Sequence, residues 1–63
     1  MVQYNLDFVS SEGLVLMRVK VWADDPTQAL DLVWSWVSAF PEIDQVVRIN
    51  YFVVQDVPVI VPG

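Results

Sequence analysis

The sequence predicts an α+β domain whose elements follow the order β-β-α-β. Two segments alternate apolar and polar residues around a glycine-containing turn, a proline-initiated helix follows, and a third segment rich in β-branched and aromatic residues comes last. A crossover through the helix makes the third strand parallel to the second. We therefore expect a three-stranded antiparallel or mixed sheet of order 2-1-3, with the helix on one face and a C-terminal tail or edge strand.

The first two strands are predicted to form a hairpin. The segments VQYNLDFV and LVLMRVKVW both alternate, and SSEG between them contains turn-forming residues. A turn at Ser10–Gly13 places Val9 opposite Leu14. Asn5 then faces Arg18, and the polar positions of both strands share one face. The expected buried positions are Val2, Tyr4, Leu6 and Phe8 in the first strand and Val15, Met17, Val19 and Val21 in the second.

The segment ADDPTQ carries the signals of a helix start. Asp25 is the expected N-cap, Pro26 suits the first helical position, and Gln28 suits a capping box. The helix should end near Phe40 because Pro41 disfavours helical geometry in the residue before it. Its buried stripe is expected to contain Ala29, Leu30, Val33, Val37 and Phe40, with Trp36 beside it and Trp34 on its margin.

The third strand is predicted in DQVVRINYFVVQ, with Val47, Ile49, Tyr51 and Val53 facing the core. Residues 1–55 then form one domain. Residues 56–63 form an apolar arm, in which Pro58 and Pro62 exclude a central strand. The arm either packs along its own sheet or reaches a second copy or another protein. Its candidate contact residues are Val57, Val59, Ile60 and Val61.

Composition argues against catalysis. The chain of 63 residues contains no cysteine and no histidine, which removes thiolate and imidazole ligands and the commonest general base. The pairs Asp24–Asp25 and Glu42–Asp44 have the ligand type of a hard cation, but helix capping and a solvated loop are simpler explanations. We expect a non-enzymatic protein with no catalytic, cofactor-binding or metal-binding residue.

The location of the protein is predicted from two further features. No apolar run approaches the ~20 residues that a membrane span needs. The N-terminal segment MVQYNLDF has no positive charge and no long apolar core of the kind a signal peptide contains. We therefore expect a cytoplasmic protein with no membrane partner.

One face of the predicted sheet gathers all three cations of the chain with two aromatic residues. Its candidate interface residues are Leu16, Arg18, Lys20, Trp22, Arg48 and Phe52, next to Gln3, Asn5, Asp7 and Asn50. Aromatic and cationic side chains on a sheet are typical of single-strand nucleic-acid binding. The predicted central strand instead offers Asp7, which repels phosphate and can pair with Arg18 or Arg48. We favour a protein interface, because arginine and aromatic residues together characterise interface hot spots.

The acidic residues suggest a second contact surface. Asp24, Asp25, Asp31, Glu42 and Asp44 are predicted to lie around the helix and its end, away from the cations, in a chain of net charge −5. The leading hypothesis is a small acidic protein-binding module that self-associates, with a homodimer favoured. One version is an inhibitor or accessory factor, of the size found in phages and bacteria, that covers a basic protein surface. The alternatives are a single-stranded nucleic-acid-binding protein and a structural subunit of a larger assembly.

Overall fold

A computed structural model describes residues 1–54 and confirms the predicted α+β architecture. Its elements are β1 (Val2–Ser10), β2 (Val15–Ala23), α1 (Pro26–Val37), a short 3-10 helix (Pro41–Gln45) and β3 (Val46–Val53). The predicted C-terminal arm, with its contact residues Val57, Val59, Ile60 and Val61, lies outside the described residues. Among residues 1–54, no helix has the length and apolarity that crossing a bilayer requires.

The sheet has the predicted strand order, β2-β1-β3. Because β1 runs antiparallel to both neighbours, β2 and β3 run parallel to each other and α1 connects them. The helix packs mainly on β2 and to a smaller extent on β1. The fully buried core lies between these elements and consists of Tyr4, Leu6, Phe8, Ala23, Ala29, Val33 and Val37.

The hairpin register differs from the predicted one by two residues. The N–H of Ser10 donates to the carbonyl oxygen of Leu14 at 2.9 Å, so the loop contains three residues, and Gly13 adopts a positive φ of 83°. A β-bulge follows, in which Leu16 is the extra residue of β2. Asp7, and not Asn5, therefore faces Arg18. The shorter loop and the bulge each shift the register by one residue. Together they leave the polar side chains on the predicted face.

At the beginning of β3, the structure contradicts a second prediction. A register shift occurs between the pairs Ser10–Val46 and Val9–Arg48, which makes Val47 the extra residue of a second bulge. Val46 packs against the core, whereas Val47 is 66% exposed. Ile49 packs against the core as predicted. The prediction that Val47 is a core residue was wrong because a bulge exchanges the faces of neighbouring positions.

The helix begins as predicted and ends earlier than predicted. The Asp25 carboxylate accepts a hydrogen bond from the Gln28 N–H at 2.8 Å, and the Gln28 side chain accepts the Asp24 N–H at 2.6 Å. The last helical residue is Val37, and Phe40 has extended geometry before Pro41. Phe40 is therefore 52% exposed, and its predicted place in the buried stripe was wrong.

Candidate interaction surface

The sheet face opposite α1, here called the outer face, carries most of the predicted interface residues in adjacent rows. One row pairs Lys20 with Asn5 and Asn5 with Phe52. The neighbouring rows are Trp22 beside Gln3, and Arg18 beside Asp7 beside Asn50. Arg48 lies beside Val9 at the end of this face, and Leu16 is partly buried in the β2 bulge.

A polar network occupies the centre of the outer face. The Asp7 side chain accepts hydrogen bonds from Arg18 Nε at 2.9 Å, from Arg18 Nη2 at 3.3 Å and from Asn5 Nδ2 at 2.6 Å. Asp7 is only 6% exposed, although it lies on the side of the sheet opposite α1. The hydrogen bond from Arg18 is the main cause that lowers the pKa of Asp7, opposed by desolvation and supported by Asn5.

The same network fixes Arg18. Its guanidinium makes two contacts with one carboxylate, and this bond raises the pKa of Arg18 above its ordinary value. Across the strands, Asp7 pairs with Arg18, which is one of the two partners that the sequence left open. Lys20 and Arg48 are exposed. The Asp7 carboxylate thus partly neutralises the charge of Arg18, and Lys20 and Arg48 remain available to a partner.

Trp22 and Phe52 are the large apolar groups of the outer face. Each is 51% exposed. Trp22 lies on β2 and Phe52 on β3, so two strand spacings, about 10 Å, separate them across the sheet. The central strand between them presents Asn5 and Gln3. The outer face therefore has one aromatic ring on each flank of a polar centre.

The predicted acidic residues are exposed and lie at different ends of α1. Asp24 and Asp25 stand at its first turn, while Glu42 and Asp44 belong to the 3-10 helix after its last turn. Asp31 is exposed on the 12-residue helix between them, which is about 18 Å long. Within residues 1–54, no group of three or more acidic side chains comes close enough to hold a metal ion.

An apolar groove on the helix side of the sheet was not predicted from the sequence. It has a volume of about 410 Å³ and lies where α1 leaves β3 uncovered. Trp34 of α1 forms one wall and Tyr51 of β3 the other, and they are 47% and 39% exposed. The other lining residues are Ile43, Val46, Val47, Arg48 and Ile49. The placement of Trp34 on the margin of the helix stripe was the one sequence signal for this groove.

Comparison with known proteins identifies no significantly similar protein. No protein-family model matches the chain, and neither a curated protein nor a solved structure is significantly similar to it.

Proposed function

We propose that this protein is a non-enzymatic interaction module that binds another protein through the outer face of its sheet. The observation that carries the proposal is the combination of two half-exposed aromatic side chains, Trp22 and Phe52, with a hydrogen-bonded polar centre around Asp7. Protein interfaces concentrate binding energy in such aromatic and arginine side chains. A rigid centre lowers the entropic cost of binding, because Arg18 and Asn5 are already held.

The exposed charges of the outer face indicate the chemistry of the partner. Lys20 and Arg48 lie on this face, and three cations and one carboxylate give it a charge of +2 in a chain of net charge −5. A partner surface with apolar side chains for Trp22 and Phe52 and with carboxylates at its rim is complementary to it. We therefore expect an acidic or mixed surface as the target of this face.

Binding of single-stranded nucleic acid is the second candidate function. It is favoured by one observation, namely that Lys20, Trp22, Arg48 and Phe52 share a face. Arg18 is engaged by Asp7, so two cations are left for phosphates. Two phosphate contacts give a weak salt dependence, with a slope of log K against log salt of about −1.4 for single strands. The central carboxylate and the net charge oppose this function, and we rank it second.

The other versions of the interaction hypothesis have less structural support. An inhibitor that imitates a polyanion would use Asp24, Asp25, Asp31, Glu42 and Asp44, which are spread from one end of α1 to the other. A role as a structural subunit, as a phage or bacterial accessory factor, and a cytoplasmic location remain predictions from size and composition. Self-association also remains a proposal.

Matched variants provide the test of the protein-binding proposal. Trp22→Ala and Phe52→Ala remove the two aromatic side chains of the outer face. Trp36→Ala and Phe40→Ala remove the same side chains from helix-side positions that are 66% and 52% exposed. Each immobilised variant is used to capture proteins from its native host, and bound proteins are compared by quantitative mass spectrometry. Circular dichroism checks that all four variants fold.

The comparison has two outcomes. We expect at least one protein that the wild type, Trp36→Ala and Phe40→Ala retain equally and that Trp22→Ala and Phe52→Ala lose. Equal retention by all four variants would exclude the outer face as the binding surface. A parallel titration with single-stranded oligonucleotides follows tryptophan fluorescence. A saturable response that weakens with salt and disappears in Lys20→Ala would favour the second candidate function instead.

A further inference from the structure

We propose that the edge of β3 that points away from β1, which no strand of residues 1–54 covers, pairs with β3 of a second copy, so that two sheets join into one sheet of six strands. This inference concerns a different surface from the outer face and does not depend on the proposed partner of that face. Within residues 1–54, β3 is the last strand at its side of the sheet, and no strand pairs with its far edge. An unpaired edge offers a row of backbone donors and acceptors to a second strand.

The hydrogen-bond pattern identifies the groups on that edge. The N–H of Val54 donates to the carbonyl oxygen of Gln3 at 2.8 Å, so Val54 directs its backbone polar groups toward β1. Antiparallel pairs alternate between hydrogen-bonded and non-hydrogen-bonded positions. The N–H and C=O groups that point away from β1 therefore belong to Ile49, Tyr51 and Val53. These three residues would form the new hydrogen bonds.

The helix side of β3 supplies apolar surface for such a contact. Because α1 packs mainly on β2, Tyr51 and Val53 remain 39% and 53% exposed, and Trp34 across the groove is 47% exposed. By the usual surface of large side chains, these groups offer on the order of 250 Å² per copy. In a joined sheet, the grooves of the two copies face each other across the new strand pair. For two copies this apolar area is about 500 Å², below the ~1,200 Å² of standard interfaces, so the paired backbone must supply part of the stability and we expect a weak dimer.

Charge explains why β3 and not β2 is the pairing edge. The β2 edge carries Arg18 and Lys20, a common protection against strand addition, and two such edges would repel. The described part of β3 carries one charged side chain, Arg48. In an antiparallel pair centred on Asn50, Arg48 faces the partner's Phe52, so like charges are not opposed. Ile49 then faces the partner's Tyr51, and Val53 lies opposite the partner's Val47, the bulged residue of β3.

A single cysteine tests this geometry. The symmetry axis passes beside Asn50, whose own polar groups point toward β1, so the two copies of Asn50 form a non-hydrogen-bonded pair with Cα atoms about 4.5 Å apart. Such a separation permits a disulfide. The chain has no cysteine, so Asn50→Cys carries one thiol. Lys20→Cys is the control, because five strand spacings, about 24 Å, separate the two copies of β2 in the joined sheet.

Mild oxidation of the folded full-length variants gives the decisive result. We expect Asn50→Cys to form a covalent dimer rapidly, while Lys20→Cys reacts no faster than it does in denaturant. Sedimentation of the uncross-linked chain over a concentration series supplies a second measurement. Val53→Lys should weaken dimerisation by roughly tenfold or more, because pairing would bury an ammonium group. Val15→Lys, at a 46% exposed position of β2, should leave dimerisation unchanged.

Failure of Asn50→Cys to cross-link faster than Lys20→Cys would overturn the proposal, and so would any of three further results. One is a monomer at every concentration, and another is a dimer in which Val53→Lys and Val15→Lys have equal effects. The third is concentration-independent protection of the amides of Ile49, Tyr51 and Val53 from hydrogen exchange, which would mean that another segment of the same chain occupies the edge. None of these results alters the comparison of Trp22→Ala with Trp36→Ala, because Trp22 lies on β2. Failure of one proposal is thus distinguishable from failure of the other.

Discussion

Replacement of Asp25 by alanine should destabilise the protein, whereas replacement of its neighbour Asp24 should not. Asp25 is the N-cap of α1, and its carboxylate accepts the Gln28 N–H at 2.8 Å. Asp24 contributes its backbone N–H to the same turn, and alanine keeps that donor. The Asp24 carboxylate approaches the terminal amine at 3.9 Å in an exposed ion pair, which contributes little.

The magnitude follows from the lost cap. Loss of an N-cap side chain costs about 1 kcal/mol of unfolding free energy. A domain of 63 residues has a total stability on the order of 3–9 kcal/mol. The change is therefore a substantial fraction of the total and corresponds to a fall of about 4–8 °C in Tm. Both substitutions remove one negative charge near the helix N-terminus, so the difference between Asp25→Ala and Asp24→Ala isolates the cap from the helix dipole.

Thermal unfolding followed by circular dichroism and tryptophan fluorescence measures this difference. Asp25→Asn keeps an oxygen acceptor and should stay within a few tenths of a kcal/mol of wild type. Equal Tm values for Asp24→Ala and Asp25→Ala, or an Asp25→Asn variant as unstable as Asp25→Ala, would refute the capping argument. The Asp24→Ala variant also tests function. If this stable variant loses partner binding, the acidic residues at the N-terminus of α1 take part in binding.

The remaining predictions concern the outer face, the core and the hairpin. The pKa of Asp7 is lower in the folded than in the unfolded chain, so its contribution to stability is complete above about pH 4 and is lost as the pH falls through the folded pKa. Urea titrations at several pH values should show this fall in unfolding free energy at acidic pH, and Asp7→Asn should lack the contribution of this carboxylate. Arg18→Ala should lower the urea midpoint more than Lys20→Ala, and equal midpoints would mean that the Arg18–Asp7 pair is not stabilising. Leu6→Ala, at a fully buried position, should cost about 3 kcal/mol, which is about a third or more of the total stability. Gly13→Ala should cost about 1 kcal/mol because of the positive φ, since no atom of residues 1–54 lies within 4 Å of an added Cβ. An unchanged Tm would contradict this.

The faces of the first two strands were predictable from the sequence, but their register was not. The alternation of apolar and polar residues predicts which face each side chain occupies, but it does not predict the length of the loop. The three-residue loop alone would place Asn5 opposite Val19, which sets a polar side chain against an apolar one. The bulge at Leu16 restores agreement between the two patterns. A bulge leaves no local sequence signal in a run such as VLMRV, so the predicted pair Asn5–Arg18 was wrong while the outer face was right.

The end of α1 and the apolar groove could not be predicted fully from the sequence, for a different reason. Pro41 correctly indicated a boundary, but the helix stops three residues before Phe40 because Ser38 caps it and a turn leads into the 3-10 helix. Where a helix lies across a sheet is a tertiary property, set here by the packing of α1 on β2. Its consequence, an uncovered β3 beside Trp34, could not be deduced from the period of either element.

The two proposed surfaces are geometrically compatible, and their combination restricts the kind of partner. Pairing through β3 uses backbone groups in the plane of the sheet, so the outer faces of both copies stay exposed on the same side. The two copies of Trp22 then lie at opposite margins of a six-stranded sheet, at least about 24 Å apart. A partner with a repeated or two-fold symmetric surface would engage both margins at once. Its apparent affinity would then exceed that of one face by the effective concentration of the second. In this two-site mode, a monomeric Val53→Lys variant should lose affinity by a factor equal to the association constant of one face multiplied by the effective concentration of the second, and unchanged affinity would exclude the mode.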